Sequence, residues 1–230
     1  MKIPSKAVYA AFKEKGIDHI YHANSVITSC QFLSSGSLLS RGTIARNGMH
    51  QTPQDSDEID RKQGVWFDVF ADSVDIHDRA RRANIYGPVL FVLKSEIIRE
   101  AYTGGVWVTK TNPTEWHGKK HDEKWFSSAN ELKNGLKKGE FQQMLVFRHC
   151  GGELPFRKHL KEILLDDPKQ QSTKTNVDYY SMAFGALRLA ITEGGLKVPI
   201  RKRKCRSGCM CKQYYSGNTA RTTRMYFPKT

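Results

Sequence analysis

The stretch GPVLFVL, residues 87–93, constrains the fold more than any other part of the chain. It is apolar at consecutive positions rather than alternate ones, so a strand built from it is buried on both faces and belongs in the middle of a sheet. The chain offers neighbours for it. IDHIYHA (17–23) alternates apolar and polar residues, and GVWFDVFAD (64–72) and GGVWVTKTN (104–112) have strand character. GEFQQMLVFRHCGGELPF (139–156) reads as one strand, FRKHLKEILLDDP (156–168) ends in a short one, and VPIRKRK (198–204) adds a last.

Helical patterns are interspersed. Residues 4–15 place Val8, Ala11 and Phe12 on one face, with Gly16 as a stop. SVITSCQFLSSG (25–36) repeats apolar residues at 26, 27, 30 and 33, capped by Asn24 or Ser25 and ended by Gly36. KSEIIREAY (94–102) predicts a short helix, and ANELKNGLKKG (129–139) a helix or loop. NVDYYSMAFGALRLAITEG (176–194) predicts a final helix capped by Asn176. Between them, 42–63 has little periodicity, the mark of a functional or disordered loop; 72–87 is a polar connection with room for a helical turn, 112–126 a loop with two Trp, and KQQSTKT (169–175) a polar linker. The order is α+β.

The length of 230 residues fits one domain with a small appendage, and the boundary expected is 1–194 for the domain and 195–230 for a basic, Cys-containing C-terminal extension. No apolar run approaches the roughly 20 residues that span a bilayer, which excludes a membrane-spanning helix. The N-terminal MKIPSKAVYAAFKEKG has no apolar h-region, so the expectation is a cytoplasmic protein without a membrane partner.

Net charge is +14, and from Gly194 to Thr230 there are ten Lys or Arg and no Asp or Glu. That asymmetry points to a polyanion, with nucleic acid the expected partner and Arg201, Lys202, Arg203, Lys204, Arg206 and Lys212 its contacts. A solubilising basic tail is the plainer alternative. In the same tail Cys205, Cys209 and Cys211 follow a C-x3-C-x-C spacing, one ligand short of tetrahedral zinc. His149 or Cys150 could complete the set if the fold brought them near; otherwise these are free thiols in a basic loop. Cys30, in an apolar helical pattern, reads as core.

No Walker loop, GxGxxG, HExxH or GxSxG motif occurs. DIHD (Asp75, His77, Asp78) and HGKKHD (His117, His121, Asp122) bring His and Asp together as a metal-dependent nuclease would, although solvated loop residues explain both.

IYHANSVITSCQFLSSGSLLSRG (20–42) resembles the opening of the ADP-ribosyltransferase fold, in which a strand ending in a Tyr-His pair precedes a helix and a Gly-Leu-Leu turn. DEIDRKQGVWFDVFADSVD, GPVLFVLKSEII, GVWVTKTNP, FQQMLVFRHCGGELPF and KEILLDD follow in an order similar to the DarT family of DNA ADP-ribosyltransferases. The resemblance covers about residues 17–167 and rests on order and local pattern. It implies split mixed and antiparallel sheets and NAD as the substrate. It also implies transfer of ADP-ribose to a nucleic-acid base, DNA before RNA, in a toxin or phage-conflict protein. His22 matches the ribose-binding histidine, with Ala23 and Asn24 beside it; Arg61, or Arg46 as second choice, matches the NAD-contacting arginine; Phe70 and Tyr86 supply aromatic walls.

The family's catalytic glutamate directly precedes the apolar run of its strand, and here that position is Gln143, ahead of Met144-Leu145-Val146-Phe147. Glutamine keeps the shape of glutamate but neither charge nor basicity. Three explanations stand: an inactivating Glu-to-Gln exchange, a domain that binds without catalysing, or service by Glu140 after a register shift, with Glu153 a loop residue. The rival function is a non-catalytic nucleic-acid-binding protein that uses the basic tail, with or without a zinc knuckle.

Overall fold

A computed structural model describes residues 2–100, 105–172 and 176–227. The first half of the chain runs α1 (Ser5–Glu14), β1 (His19–Asn24), α2 (Val26–Ser35), β2 (Ser37–Leu39), α3 (Arg41–Arg46), α4 (Asp57–Lys62), β3 (Val69–Ala71), α5 (Ile76–Ala80), β4 (Val89–Lys94) and α6 (Ile97–Glu100). The second half runs β5 (Trp107–Val108), a 3-10 turn at Pro113–Glu115, α7 (His121–Lys124), α8 (Ala129–Gly135), β6 (Leu145–Phe147) and β7 (Glu153–Pro155). It closes with β8 (Leu160–Leu165), α9 (Tyr179–Glu193), β9 (Ile200–Lys202), α10 (Cys211–Gly217) and α11 (Thr219–Tyr226). Among the described residues no helix is long and apolar enough to cross a membrane.

The fold is α+β. The continuous apolar run becomes β4, buried over Val89–Leu93 and central as its pattern requires, in a sheet of order β1-β4-β8-β9. β1 and β8 flank it antiparallel, while β9 adds on parallel to β8. A second, antiparallel sheet has the order β3-β6-β5, and β2 pairs with β7. The sheets are joined where Tyr21 and Asp72 exchange backbone hydrogen bonds of 2.9 and 2.8 Å.

Core side chains come from every part of the chain. Phe32 meets Phe91 edge-to-face and Phe91 stacks on Phe156, with ring centroids 5.7 and 5.6 Å apart, each such burial contributing about 1.5–3 kcal/mol. Helix α9 lies on α2 so closely that a Cβ at Gly194 would stand 2.0 Å from the Leu33 carbonyl oxygen. Tyr215 and Tyr226, from α10 and α11, are buried in this same core, so the segment after residue 194 adds a strand and two helices to the main body. A smaller cluster of Val65, Trp116, Trp125 and Val146 lies under the second sheet.

Several expectations change. The 139–156 stretch is not one strand: residues 140–143 form a turn, with Gln143 N–H donating to the Glu140 carbonyl at 3.0 Å, and left-handed His149, Gly151 and Gly152 separate β6 from β7. In 64–72 only Val69–Ala71 is strand, the rest turning so that Phe67 is exposed. The buried face of α2 is Val26, Thr28, Ser29, Phe32 and Leu33, which keeps the expected 26 and 33 but replaces 27 and 30; Thr28 is tolerated inside because its hydroxyl accepts from Ser25 at 3.1 Å and from Thr52 N–H at 3.2 Å. The cap of α9 is Asp178, whose carboxylate accepts from the backbone N–H groups of Tyr180 and Ser181. Residues 42–63 hold α3 and α4 rather than irregular loop alone, and 112–126 hold a 3-10 turn and α7. The ends of two predicted segments, residues 101–102 and 173–175, lie outside the described residues.

Candidate active site

An open cleft lies where the end of β1, the end of β3, the start of α3 and the 54–60 segment converge. The 112–114 turn and Met144 close its far side. That wall is held from below, since Trp116 Nε1 donates to the Thr111 carbonyl at 2.7 Å and its ring packs on Trp125 at 4.7 Å. The Gln142 side chain also braces it: its carbonyl accepts from Asn112 N–H and its amide donates to Glu115, both at 2.6 Å.

His22, Ala23 and Asn24 form one rim. His22 Nδ1 is 2.8 Å from the Phe70 carbonyl oxygen, which fixes Nδ1 as the protonated nitrogen and leaves Nε2 an acceptor, 3.4 Å from the Asn24 amide. Burial pushes the His22 pKa below its ordinary value, so the ring is neutral at pH 7. On the opposite rim is Arg41, delivered by the first turn of α3, whose cap is Ser40 accepting from Thr43 N–H. Its Nε and one terminal nitrogen grip Asp57 at 2.7 and 2.5 Å, while Nη1 has no hydrogen-bond partner among the described residues.

Two carboxyl groups line the cleft. Burial raises Asp72 to about 7, with the charge of Asp75 adding to it, and no donor or cation reaches that carboxylate among the described residues. Burial also raises Asp60 to about 6, against a Ser56 hydroxyl that donates to it at 3.2 Å. Tyr86 stands between them, its phenol pushed up to about 12 by burial and then by Asp72 and Asp60. The set combines a cation with a spare donor, a neutral imidazole acceptor, aromatic walls and an acid that titrates near neutrality. Such a site can hold an anionic, hydroxyl-bearing ligand and move a proton beside it.

Of the residues singled out from sequence, His22, Ala23, Asn24, Phe70 and Tyr86 come together here. Gln143, Glu140, Arg61 and Arg46 do not line this cleft. The Gln143 amide donates to the Gly135 carbonyl at 3.0 Å and accepts from Lys137 N–H at 2.8 Å, because the 140–143 turn takes its side chain toward the end of α8. Glu140 sits in that turn rather than on a strand, and Glu153 accepts from Ser37 at 2.6 Å. Arg61 and Arg46 line a separate open groove, lying over the Trp66 and Phe67 rings at 4.1 and 5.6 Å. The groove and the cleft adjoin at Arg41, which is 5.8 Å from the Trp66 ring.

The basic tail is only partly free. Arg203 is buried in ion pairs with Asp75 and Asp166, which removes it from any nucleic-acid surface. Arg201, Lys202 and Arg206 pair with Glu162, Asp167 and Asp78 while staying largely exposed, and Lys204 and Lys212 are exposed. From α11, Arg221 and Arg224 line an adjoining pocket that shares Gln54, Ser56, Tyr86 and Thr114 with the cleft.

Cys205, Cys209 and Cys211 converge on His77, not on His149 or Cys150. Asp75 and Asp78 of DIHD are spent on Arg203 and Arg206, and the exposed His117, His121 and Asp122 form no such cluster among the described residues.

Sequence reasoning missed Arg41, Asp60, Asp72 and the α11 arginines. Arg41 alone carried a local signal, its place after Leu38-Leu39 and the capping Ser40. No protein-family model matches the chain, and no curated protein matches it.

Proposed function

We propose that the cleft binds NAD and that the protein transfers ADP-ribose from it to a nucleic-acid base, DNA before RNA. One observation carries this reading. A neutral His22 acceptor, the Arg41 Nη1 and the Asp72 carboxylate, the last two without a hydrogen-bond partner among the described residues, share one open cleft with the aromatic walls of Phe70 and Tyr86.

Each group has a task. Arg41 Nη1 answers the pyrophosphate, His22 Nε2 accepts from a ribose hydroxyl, and Phe70, Tyr86 and Met144 wall the nicotinamide. When the bond from C1′ to the nicotinamide nitrogen breaks, its electron pair leaves with neutral nicotinamide and C1′ becomes oxocarbenium-like. Ionised Asp72 stabilises that charge and takes the proton the attacking base nitrogen gives up. The adjoining groove, with Arg61 over Trp66 and Arg46 over exposed Phe67, offers cation and ring faces of the kind that hold single-stranded nucleic acid.

Calorimetry with NAD, followed by labelled NAD with DNA and with RNA oligonucleotides, tests the reading. Binding of NAD and label on the oligonucleotide are expected. Absence of both would leave the alternative, a nucleic-acid-binding protein without transferase chemistry.

A further inference from the structure

We propose that His77, Cys205, Cys209 and Cys211 bind one zinc ion, and that this ion locks the C-terminal helices onto the body of the protein. The four ligand atoms all lie within 4.8 Å of one another. Zinc at about 2.3 Å from sulfur and about 2.0–2.1 Å from nitrogen requires tetrahedral edges of roughly 3.7 Å between sulfurs and roughly 3.5 Å from sulfur to nitrogen. Here Cys205 and Cys211 sulfurs are 3.4 Å apart, and His77 Nε2 is 3.7 Å from Cys205 and 3.3 Å from Cys209. Three thiolates and one imidazole make a closed structural set, and their softness selects zinc over magnesium or calcium.

The surroundings are built for a ligating histidine. His77 is 1% exposed, and its Nδ1 lies 2.9 Å from an Asp166 carboxylate oxygen, which directs Nε2 at the sulfurs. Asp166 is itself held by Arg203 and by the Tyr215 hydroxyl at 2.6 Å. Left-handed Gly208 turns the chain so that Cys209 and Cys211 face the same point. Arg203, paired with Asp166 and Asp75, keeps the carboxylate behind His77 charge-balanced and in place. A Cys205–Cys211 disulfide would need a sulfur separation of about 2.05 Å and would leave Cys209 and His77 converging on nothing.

The consequence is mechanical. Ligation ties the start of α10 to α5, a helix that follows Asp72 directly in the chain, and α11 behind it carries Arg221 and Arg224 to the cavity beside the cleft.

Elemental analysis of the full chain, purified reduced and desalted, tests this. One zinc per chain is expected, released on mercurial titration of the thiols. Refolding with cobalt(II) is expected to give the thiolate-to-cobalt absorption of a tetrahedral site. Cys205→Ser/Cys209→Ser should lose the metal and Cys30→Ser should retain it. If the double variant fails to fold, the cobalt spectrum of the unaltered chain decides. A reduced chain that holds no zinc and takes up no cobalt overturns the proposal, as does a Cys205–Cys211 disulfide in the native protein by mass.

Discussion

His22 Nδ1 stands 2.8 Å from the Phe70 carbonyl oxygen, a hydrogen bond that crosses from one sheet to the other at the floor of the cleft. One residue earlier, Tyr21 exchanges backbone hydrogen bonds with Asp72. Consecutive residues of β1 therefore set two parts of the site at once: the tautomer of the imidazole and the position of the acid. Cleft geometry and sheet packing depend on each other here, so a substitution that shifts one sheet is expected to be read out in ligand binding.

Asp72 gives a pH dependence whose sign is fixed. Burial raises its folded value from 3.8 to about 7, with Asp75 its charged neighbour and the Tyr86 phenol nearby. The folded protein therefore binds more protons than the unfolded chain between those values, and the stability associated with protonated Asp72 is lost as pH rises through about 7. Asp72→Asn should be more stable than the parent above neutrality, by roughly 1–3 kcal/mol, and should match it near pH 4 in urea titrations. In the proposed reaction Asp72 acts ionised, so the parent rate should climb through neutrality and Asp72→Asn should be inactive. A variant that retains transfer would remove Asp72 from the chemistry.

Arg41 is predicted to carry anion recognition. Arg41→Ala should weaken NAD binding at least tenfold, about 1.4 kcal/mol, in calorimetry. Arg41→Lys should recover only part, because lysine keeps the charge but cannot grip Asp57 with two nitrogens and present a third. Equal affinity across the three proteins would count against the cleft as a dinucleotide site.

Gly87 tests the contact behind the His22–Asn24 rim. Its φ is +150°, and a Cβ there would lie 2.1 Å from the backbone carbonyl of Asn24. Gly87→Ala should cost roughly 3 kcal/mol or more in thermal or urea unfolding, since neither backbone can yield without moving β1 from β4. A loss below 1 kcal/mol would show that the rim adjusts freely.

Arg203 distinguishes a structural tail from an electrostatic arm. Removing its guanidinium leaves Asp166 and Asp75 without their cation, so Arg203→Ala should destabilise by about 3–5 kcal/mol. Lys204→Ala and Lys212→Ala, at exposed positions, should leave stability unchanged within about 0.5 kcal/mol and weaken oligonucleotide binding in low salt instead.

What the sequence revealed follows from how local each signal is. The β4 run, the α1 face and the Gly36 stop were legible because their causes lie within a few residues. The His22 rim was legible because it sits at a strand end beside a recognisable helix start. Asp72 was not, because its raised pKa comes from burial in a fold that pairs it with Tyr21, 51 residues earlier in the chain. His77 was not matched to the thiols because it lies 128 residues from Cys205. The turn at 140–143 defeated the strand reading because its closing bond is a backbone contact that side-chain periodicity does not encode.

Position 143 is the sharpest test, because the resemblance to ADP-ribosyltransferases implies an acid there and the fold turns the side chain elsewhere. The Gln143 amide donates to the Gly135 carbonyl and accepts from Lys137 N–H. Glutamate in its place keeps the acceptor, loses the donor and sets a negative charge against that carbonyl. Gln143→Glu is therefore expected to destabilise by about 1 kcal/mol and to leave NAD affinity and transfer unchanged. Measured beside Asp72→Asn, it separates two sources of the carboxylate. Transfer that appears only in Gln143→Glu would return the acid to this turn, whereas transfer that is present in the parent and lost in Asp72→Asn keeps it at the end of β3, paired with Tyr21.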